Sequence, residues 1–259
     1  MKLFLLSCAV MVAFAGNSIL TRLGVFSYGT DPMAFAVLRV ASGAGVIAAI
    51  VVLRGQKVPV GDRKSRFGAL ALAIYMIGFS WAYLQLDAGL GALILFGVMQ
   101  VAMFAFAVYR KDDIPPLRWI GGALALIGLC ILLIPGSDAK VHFPSAIAMT
   151  IAGVGWAAYT LLGQGAKDPL VSSSGNFVLC LPLVLLAWVL SGMSGLTTGG
   201  AVTAVISGAV TSGLGYALWY RVVPQLSTTI AAIAQLSVPV IAVIGGVLLL
   251  GEELTTQLL

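Results

Sequence analysis

Nine runs of mostly apolar residues, each close to the length of a membrane crossing, recur along the chain at 3–21, 32–53, 67–86, 90–109, 119–135, 144–163, 172–191, 200–222 and 228–250. An α-helix needs about 20 such residues to span a bilayer, and lipid offers no partner for an unpaired backbone amide. Spanning β-strands would alternate polarity over about ten residues, whereas Ala123 to Ile134 is apolar on every side. With 60% hydrophobic and 9% charged residues, the chain exceeds what one soluble core can hold. The predicted fold class is an all-α membrane protein, a polytopic transmembrane helix bundle.

Charge placement gives the expected orientation. With a cytoplasmic N-terminus, Lys2, Arg54, Lys57, Arg63, Lys64, Arg66, Arg110, Lys111, Arg118, Lys167 and Arg221 all fall on the inner side, Arg22 and Lys140 outside, and Arg39 within a span. This satisfies the positive-inside rule, so the net charge of +5 needs no nucleic-acid partner. The expected location is the bacterial inner (plasma) membrane, with the lipid bilayer as partner. Cys8, Cys130 and Cys180 lie in apolar runs without CxxC spacing, which reads as buried thiols rather than disulfide or metal chemistry. Lys2, the first apolar run and Ala13-Phe14-Ala15 imitate a secretory signal, but an internal repeat argues for a retained first helix.

An offset of 139 aligns Ala9 with Ala148, Ala13 with Ala152, Gly16 with Gly155, Thr21 with Thr160 and Gly24 with Gly163. An offset of 137 aligns Asp31-Pro32 with Asp168-Pro169, and 139 again aligns Asp113 with Glu252. The chain therefore divides into a first five-helix unit, 1–140, and a second, 141–259. An odd helix count turns the second copy upside down, the inverted plan of many secondary transporters, with a site near the midplane between copies. The fifth run has no counterpart before Leu259; nine spans are present, so either a truncation removed the tenth, the favoured expectation, or the protein naturally has nine.

Several segments resemble the drug/metabolite transporter superfamily, in particular its EamA-type ten-helix exporters. They are Asp31-Pro32 with Arg39, the stretch Tyr83-Leu84-Gln85-Leu86-Asp87-Ala88-Gly89, and the run from Gly213-Leu214-Gly215-Tyr216 through Pro239 to Leu250-Gly251-Glu252-Glu253. The first half departs from the pattern, with Gln100 opposite Pro239 and Asp112-Asp113 in place of Gly-Glu. The resemblance implies efflux of small metabolites, amino acids or drugs through a cavity between two inverted five-helix halves.

Arg39 is the first candidate for substrate binding. A charge inside a span is costly and faces the bundle interior, where a guanidinium grips a carboxylate bidentately; an ion pair with Asp31 or Asp87 is the structural alternative. Asn176 is its mate in the second copy. Further candidates for the cavity wall are Asn17, Trp81, Tyr83, Gln100, Trp156, Tyr159, Tyr216 and Gln235, together with Tyr75, Gln85, Trp219 and Tyr220. Mid-span glutamines need polar partners, and aromatic walls suit an apolar or aromatic solute. Pro182 and Pro239 interrupt spans, and Pro239 is the candidate hinge. His142 stands alone, Ser137 to Lys140 matches SxxK only on a short loop, and no HExxH, GxSxG or Walker motif occurs. Neither enzymatic chemistry nor a cofactor or metal is expected. No acidic residue or histidine sits at mid-span, so a proton relay is not visible. The leading reading is a secondary transporter of a small-molecule substrate; a membrane scaffold or sensor is the alternative, and a homodimer is left open.

Overall fold

Acidic or hydroxyl side chains cap four of the helices. In the computed structural model α1 (Lys2–Arg22) continues through a wider π-helical turn, Leu23–Ser27, and is followed by α2 (Pro32–Leu53), α3 (Arg63–Ala82) and α4 (Ala88–Tyr109). Next come α5 (Phe143–Gly163) and α6 (Pro169–Leu190). Helix α7 starts as Thr198–Ile206 and passes through a π-helical stretch, Ser207–Leu214, into Gly215–Val222. The last helix, α8 (Thr228–Gly245), ends in another π-helical turn, Gly246–Leu250. The structure describes residues 1–111, 119–121, 123, 127–128, 142–164, 166–226 and 228–253, with the backbone alone over 228–233. Most of the fifth apolar run, Cys130 and the boundary at residue 140 lie outside them.

Among the described residues seven helices are long and apolar enough to cross a membrane, and Ala234–Leu250 forms a shorter apolar helix. Large apolar side chains such as Phe4, Leu53, Val240 and Leu248 point outward, which is stable where the surroundings are lipid. Cys8 is one of these exposed positions, whereas Cys180 is buried. The expectation of a buried thiol thus fails for Cys8, because it lies on the outward side of α1.

The two Asp-Pro pairs do the same work. Asp31 accepts from the amides of Met33 and Ala34 at 3.0 and 2.9 Å, and Asp168 from those of Leu170 and Val171 at 3.0 and 3.2 Å. Each places proline at the first turn, where its missing N–H costs nothing. Asp62 caps α3, and hydrogen bonding with Ser65 holds its carboxyl below the usual carboxylate range. This start lies four residues before the apolar run at 67–86, because a cap and basic side chains begin the helix outside the apolar stretch.

Helix packing repeats in two copies. Exchanging α1 with α5, α2 with α6, α3 with α7 and α4 with α8 converts the pair α3–α5 into α7–α1, α4–α5 into α8–α1, and α3–α6 into α7–α2. All of these pairs are in contact, while α2–α6 and α4–α8 map onto themselves. Individual glycines obey the same exchange. A Cβ on Gly16 of α1 would lie 3.2 Å from Thr211 of α7, and one on Gly155 of α5 would lie 3.0 Å from the Ala71 carbonyl of α3. A Cβ on Gly68 would meet the Asn176 amide at 2.7 Å, and one on Gly208 would strike the Arg39 carbonyl. Backbones approach this closely because small residues occupy the crossings.

Candidate functional site

Where the two sets of helices meet, a narrow cavity of about 20 Å³ remains, room for little more than a water molecule. Helical spacing puts Phe14, Asn17 and Ser18 of α1 on one side of it and Tyr75 and Phe79 of α3 on another, each set one turn apart. Leu95 and Phe96 of α4, Trp156 of α5, Tyr216 of α7 and Gln235 of α8 complete the wall. The rings brace one another, with Trp156 4.8 Å from Tyr75 and 5.6 Å from Tyr216, and Phe14 edge-on to Tyr216 at 5.7 Å. The result is an aromatic chamber with amide and hydroxyl groups at its edge.

Asn17 organises the polar part. Its Oδ1 accepts from the hydroxyls of Ser207, Thr211 and Ser212 at 2.9, 2.7 and 3.1 Å, tying α1 to the π-helical stretch of α7. The Ser212 hydroxyl also accepts from Arg39 Nε at 3.3 Å, and Arg39 Nη2 donates to the Tyr75 hydroxyl at 3.0 Å. The guanidinium lies 4.9 Å from the Phe79 ring centre, a cation–π arrangement. Arg39 is fully buried and its Nη1 has no hydrogen-bond partner. Among the described residues it has no carboxylate partner either: Asp31 is occupied at the start of α2, and Asp87 pairs with Arg22. Arg39 reaches the chamber through Tyr75, which lines it.

The two ends of the bundle close differently. At the end where α1 finishes, Arg22 Nη2 meets Asp87 at 3.1 Å, Nε lies 3.7 Å from Glu252, and Nη1 donates to the Tyr83 carbonyl at 3.1 Å. The guanidinium also covers the Phe26 ring at 3.6 Å. Asp87 occupies the capping position of α4 without making the capping bond. Glu252 supplies it instead, accepting from the Ala88 amide with both oxygens at 2.8 and 3.0 Å. At the opposite end the Tyr159 hydroxyl donates to Ser173 at 2.9 Å, and the Ser173 and Tyr220 hydroxyls are 3.0 Å apart. One end is thus held by charges and the other by neutral hydroxyls.

Residues 143–259 match the EamA-like transporter family. The whole chain is 43% identical to an uncharacterised protein of Pseudomonas aeruginosa over 260 residues, 99% of this chain and 89% of that protein. The chain belongs to the EamA-like transporter family. This EamA-like chain is also 24% identical to an uncharacterised transporter of Archaeoglobus fulgidus, covering 88% of the chain and 83% of the relative. A protein of Streptantibioticus cattleyicolor described as a probable terminal-alkyne amino-acid exporter is 24% identical over 89% of the chain and 80% of its own length. A crystal structure at 16% identity superposes with a TM-score of 0.71 over 100% of this chain and 92% of its own. That likeness shows the same fold.

The sequence candidates of this EamA-like protein fall into three groups. Asn17, Trp156, Tyr216 and Gln235 line the chamber. Arg39 and Tyr159 stand directly behind it, Tyr159 stacked on Trp156 at 5.4 Å. The others lie elsewhere. Trp81 is 38% exposed, because two residues beyond Phe79 the α-helix turns its side chain to the opposite face. Tyr83 is buried in the α3–α4 turn and donates to the Ala88 carbonyl; Gln100 lies on α4 just past the chamber, and Asn176 faces Gly68. Pro239 is buried within α8, and the helix runs through it to the π-helical turn at Gly246–Leu250. Phe14, Ser18 and Phe79 were missed, although their helical spacing from Asn17 and Tyr75 was available. Arg22 and Glu252 carried no signal as a pair, being 230 positions apart, and the repeat offset sets Leu161 rather than a charge opposite Arg22.

Proposed function

We propose that this protein is a secondary transporter that exports a small organic solute, with two inverted halves, 1–140 and 141–259, rocking around the aromatic chamber. The observation that carries the reading is the unpaired guanidinium of Arg39 behind a chamber walled by residues of both halves. A buried cation without an anion is costly, and a solute carboxylate entering the chamber supplies the missing charge. Tyr75 and the Asn17 hydroxyl cluster carry the interaction from Arg39 to the solute, and Trp156, Tyr216 and Phe14 stack on its apolar body. Gln235 offers an amide to further polar groups.

The basic residues of the α2–α3 connection, together with Arg110, Lys111, Lys167 and Arg221, support an orientation with the end where α1 begins in the cytoplasm and a place in a bacterial inner membrane. The charged Arg22 cluster then faces the periplasm. Packing of α2 on α6 and of α4 on α8 across the exchange supports the inverted arrangement, and the name of the Streptantibioticus relative supports an amino-acid-like solute. Proteoliposomes loaded with aromatic amino acids test the proposal: counterflow of a labelled amino acid that Arg39→Gln weakens is the expected result. Absence of any solute movement across a panel of carboxylates and neutral analogues would instead favour the scaffold reading.

A further inference from the structure

The Arg22 cluster sets one guanidinium against two carboxylates. Four segments meet in it: the end of α1, the α3–α4 turn, the start of α4 and the residues following α8. The glutamate clamps the first amide of α4 from 164 residues away, so the cluster holds together parts that must separate if this end opens. The groups facing the Glu252 carboxylate are Arg22 from α1, Asp87 and the Tyr83 phenol from the α3–α4 turn, and the α4 amides; Glu253 beside it is exposed. Two carboxylates therefore share one guanidinium. Asp87 takes the short contact at 3.1 Å and remains 40% exposed, while Glu252 stands 3.7 Å away and is 10% exposed. Closing this end carries a surplus negative charge out of water, which is unfavourable unless a proton accompanies it.

We infer that Arg22, Asp87 and Glu252 form the latch of the outer gate, and that the latch closes by taking up one proton from the outer medium at Glu252. A neutral carboxyl keeps its carbonyl oxygen for the Ala88 amide and leaves Arg22 balanced by Asp87. Burial pushes the Glu252 carboxyl above the usual carboxylate range, so protonation favours the closed form over one in which the side chain is hydrated. When the gate reopens, the carboxyl returns the proton to the medium it faces. The inference rests on the exporter reading for its direction: the outer gate closes with an outside proton after solute release and gives that proton back to the outer medium on reopening, so the latch responds to outer pH and moves no net proton.

The test uses the full chain in right-side-out membrane vesicles, with Cys8, Cys130 and Cys180 replaced by serine and Ser18→Cys in the chamber wall as reporter. A membrane-impermeant maleimide is added outside, and labelling rates at each pH are normalised to an exposed cysteine at Ser194 to remove the reagent's own pH dependence. Labelling of Ser18→Cys is expected to fall about fivefold or more as the outer pH drops from 7.5 to 5, a typical two-state coupling. Glu252→Gln should label slowly at both pH values. Asp87→Asn, which leaves one carboxylate for one guanidinium, should also lose the pH dependence. Labelling that rises on acidification, is flat in the parent, or keeps its pH dependence in Glu252→Gln overturns the inference. Reporters Ser194→Cys and Lys167→Cys fix the sidedness, and finding Ser194→Cys protected from outside overturns the outer assignment. Counterflow in proteoliposomes, measured separately, reports on transport, so a failed latch and a failed exporter reading give different results.

Discussion

Replacing Arg39 with methionine separates a transport role from a structural one. In the folded chain the guanidinium makes two hydrogen bonds to neutral groups, at 3.3 Å to Ser212 and 3.0 Å to Tyr75, each contributing about 1.5–3 kcal/mol because the donor is charged. Against them stands the desolvation of an unpaired cation, several kcal/mol after relaxation. Methionine removes the charge and fills most of the space. Ser212 keeps its bond to Asn17, so the variant is expected to melt in detergent at the parent's temperature or above it. Transport should behave differently. A charge-assisted contact contributes about 1.5–3 kcal/mol, and its loss weakens recognition of a carboxylate solute by roughly 10- to 150-fold. Competition of the amino acid and of its amide in the counterflow assay checks this, since only the carboxylate form should lose affinity. A lowered melting temperature together with equal losses for acid and amide would refute the reasoning and make Arg39 a structural residue.

Asn17→Leu removes an acceptor shared by three hydroxyls and should cost about 1–3 kcal/mol, read as a lower melting temperature. Gly78→Val would bring a Cβ to 2.7 Å from the Ala148 carbonyl and should sharply reduce folded yield on size-exclusion chromatography. Gly45→Ala meets nothing within 4 Å on its exposed side and should be neutral or stabilising by up to about 1 kcal/mol. For Glu252 the folded carboxyl sits above its unfolded value, so its contribution to stability is fully present below the unfolded pKa and is lost as pH rises through the folded one. The melting-temperature difference between Glu252→Gln and the parent should therefore shrink as the medium is acidified.

Spans were legible in the sequence because bilayer thickness fixes their length, and Asp31-Pro32 and Asp168-Pro169 were legible because a cap followed by proline has one use. Arg39 stood out because a charge inside an apolar run must face inward. The chamber wall was half legible: aromatic content was visible, but which face each ring occupies depends on helix rotation, and Trp81 and Phe79 differ by only two positions. The latch was not legible. Arg22 aligns with Leu161 under the repeat offset, and Glu252 reads as the end of a motif until folding carries it to the first amide of α4.

The wide-turned stretch of α7 leaves a mark on the numbering of the two copies. Gly68 and Gly208, at its start, are 140 positions apart, whereas Tyr75 and Tyr216, on its far side and both against Trp156, are 141 apart. A π-helical turn holds one residue more than an α-helical turn, so the second copy behaves as the first with a single residue added inside a helix. Such an addition rotates everything beyond it by about 100°, the angle between neighbouring residues in a helix of 3.6 per turn, unless the wide turn absorbs it. By absorbing it, α7 keeps Tyr216 and Tyr220 where α3 has Tyr75 and Phe79, and gathers three hydroxyls around Asn17 that an unbroken α-helical register would disperse. Deleting one residue between Ser207 and Leu214 would make the copies alike in register while dismantling that cluster.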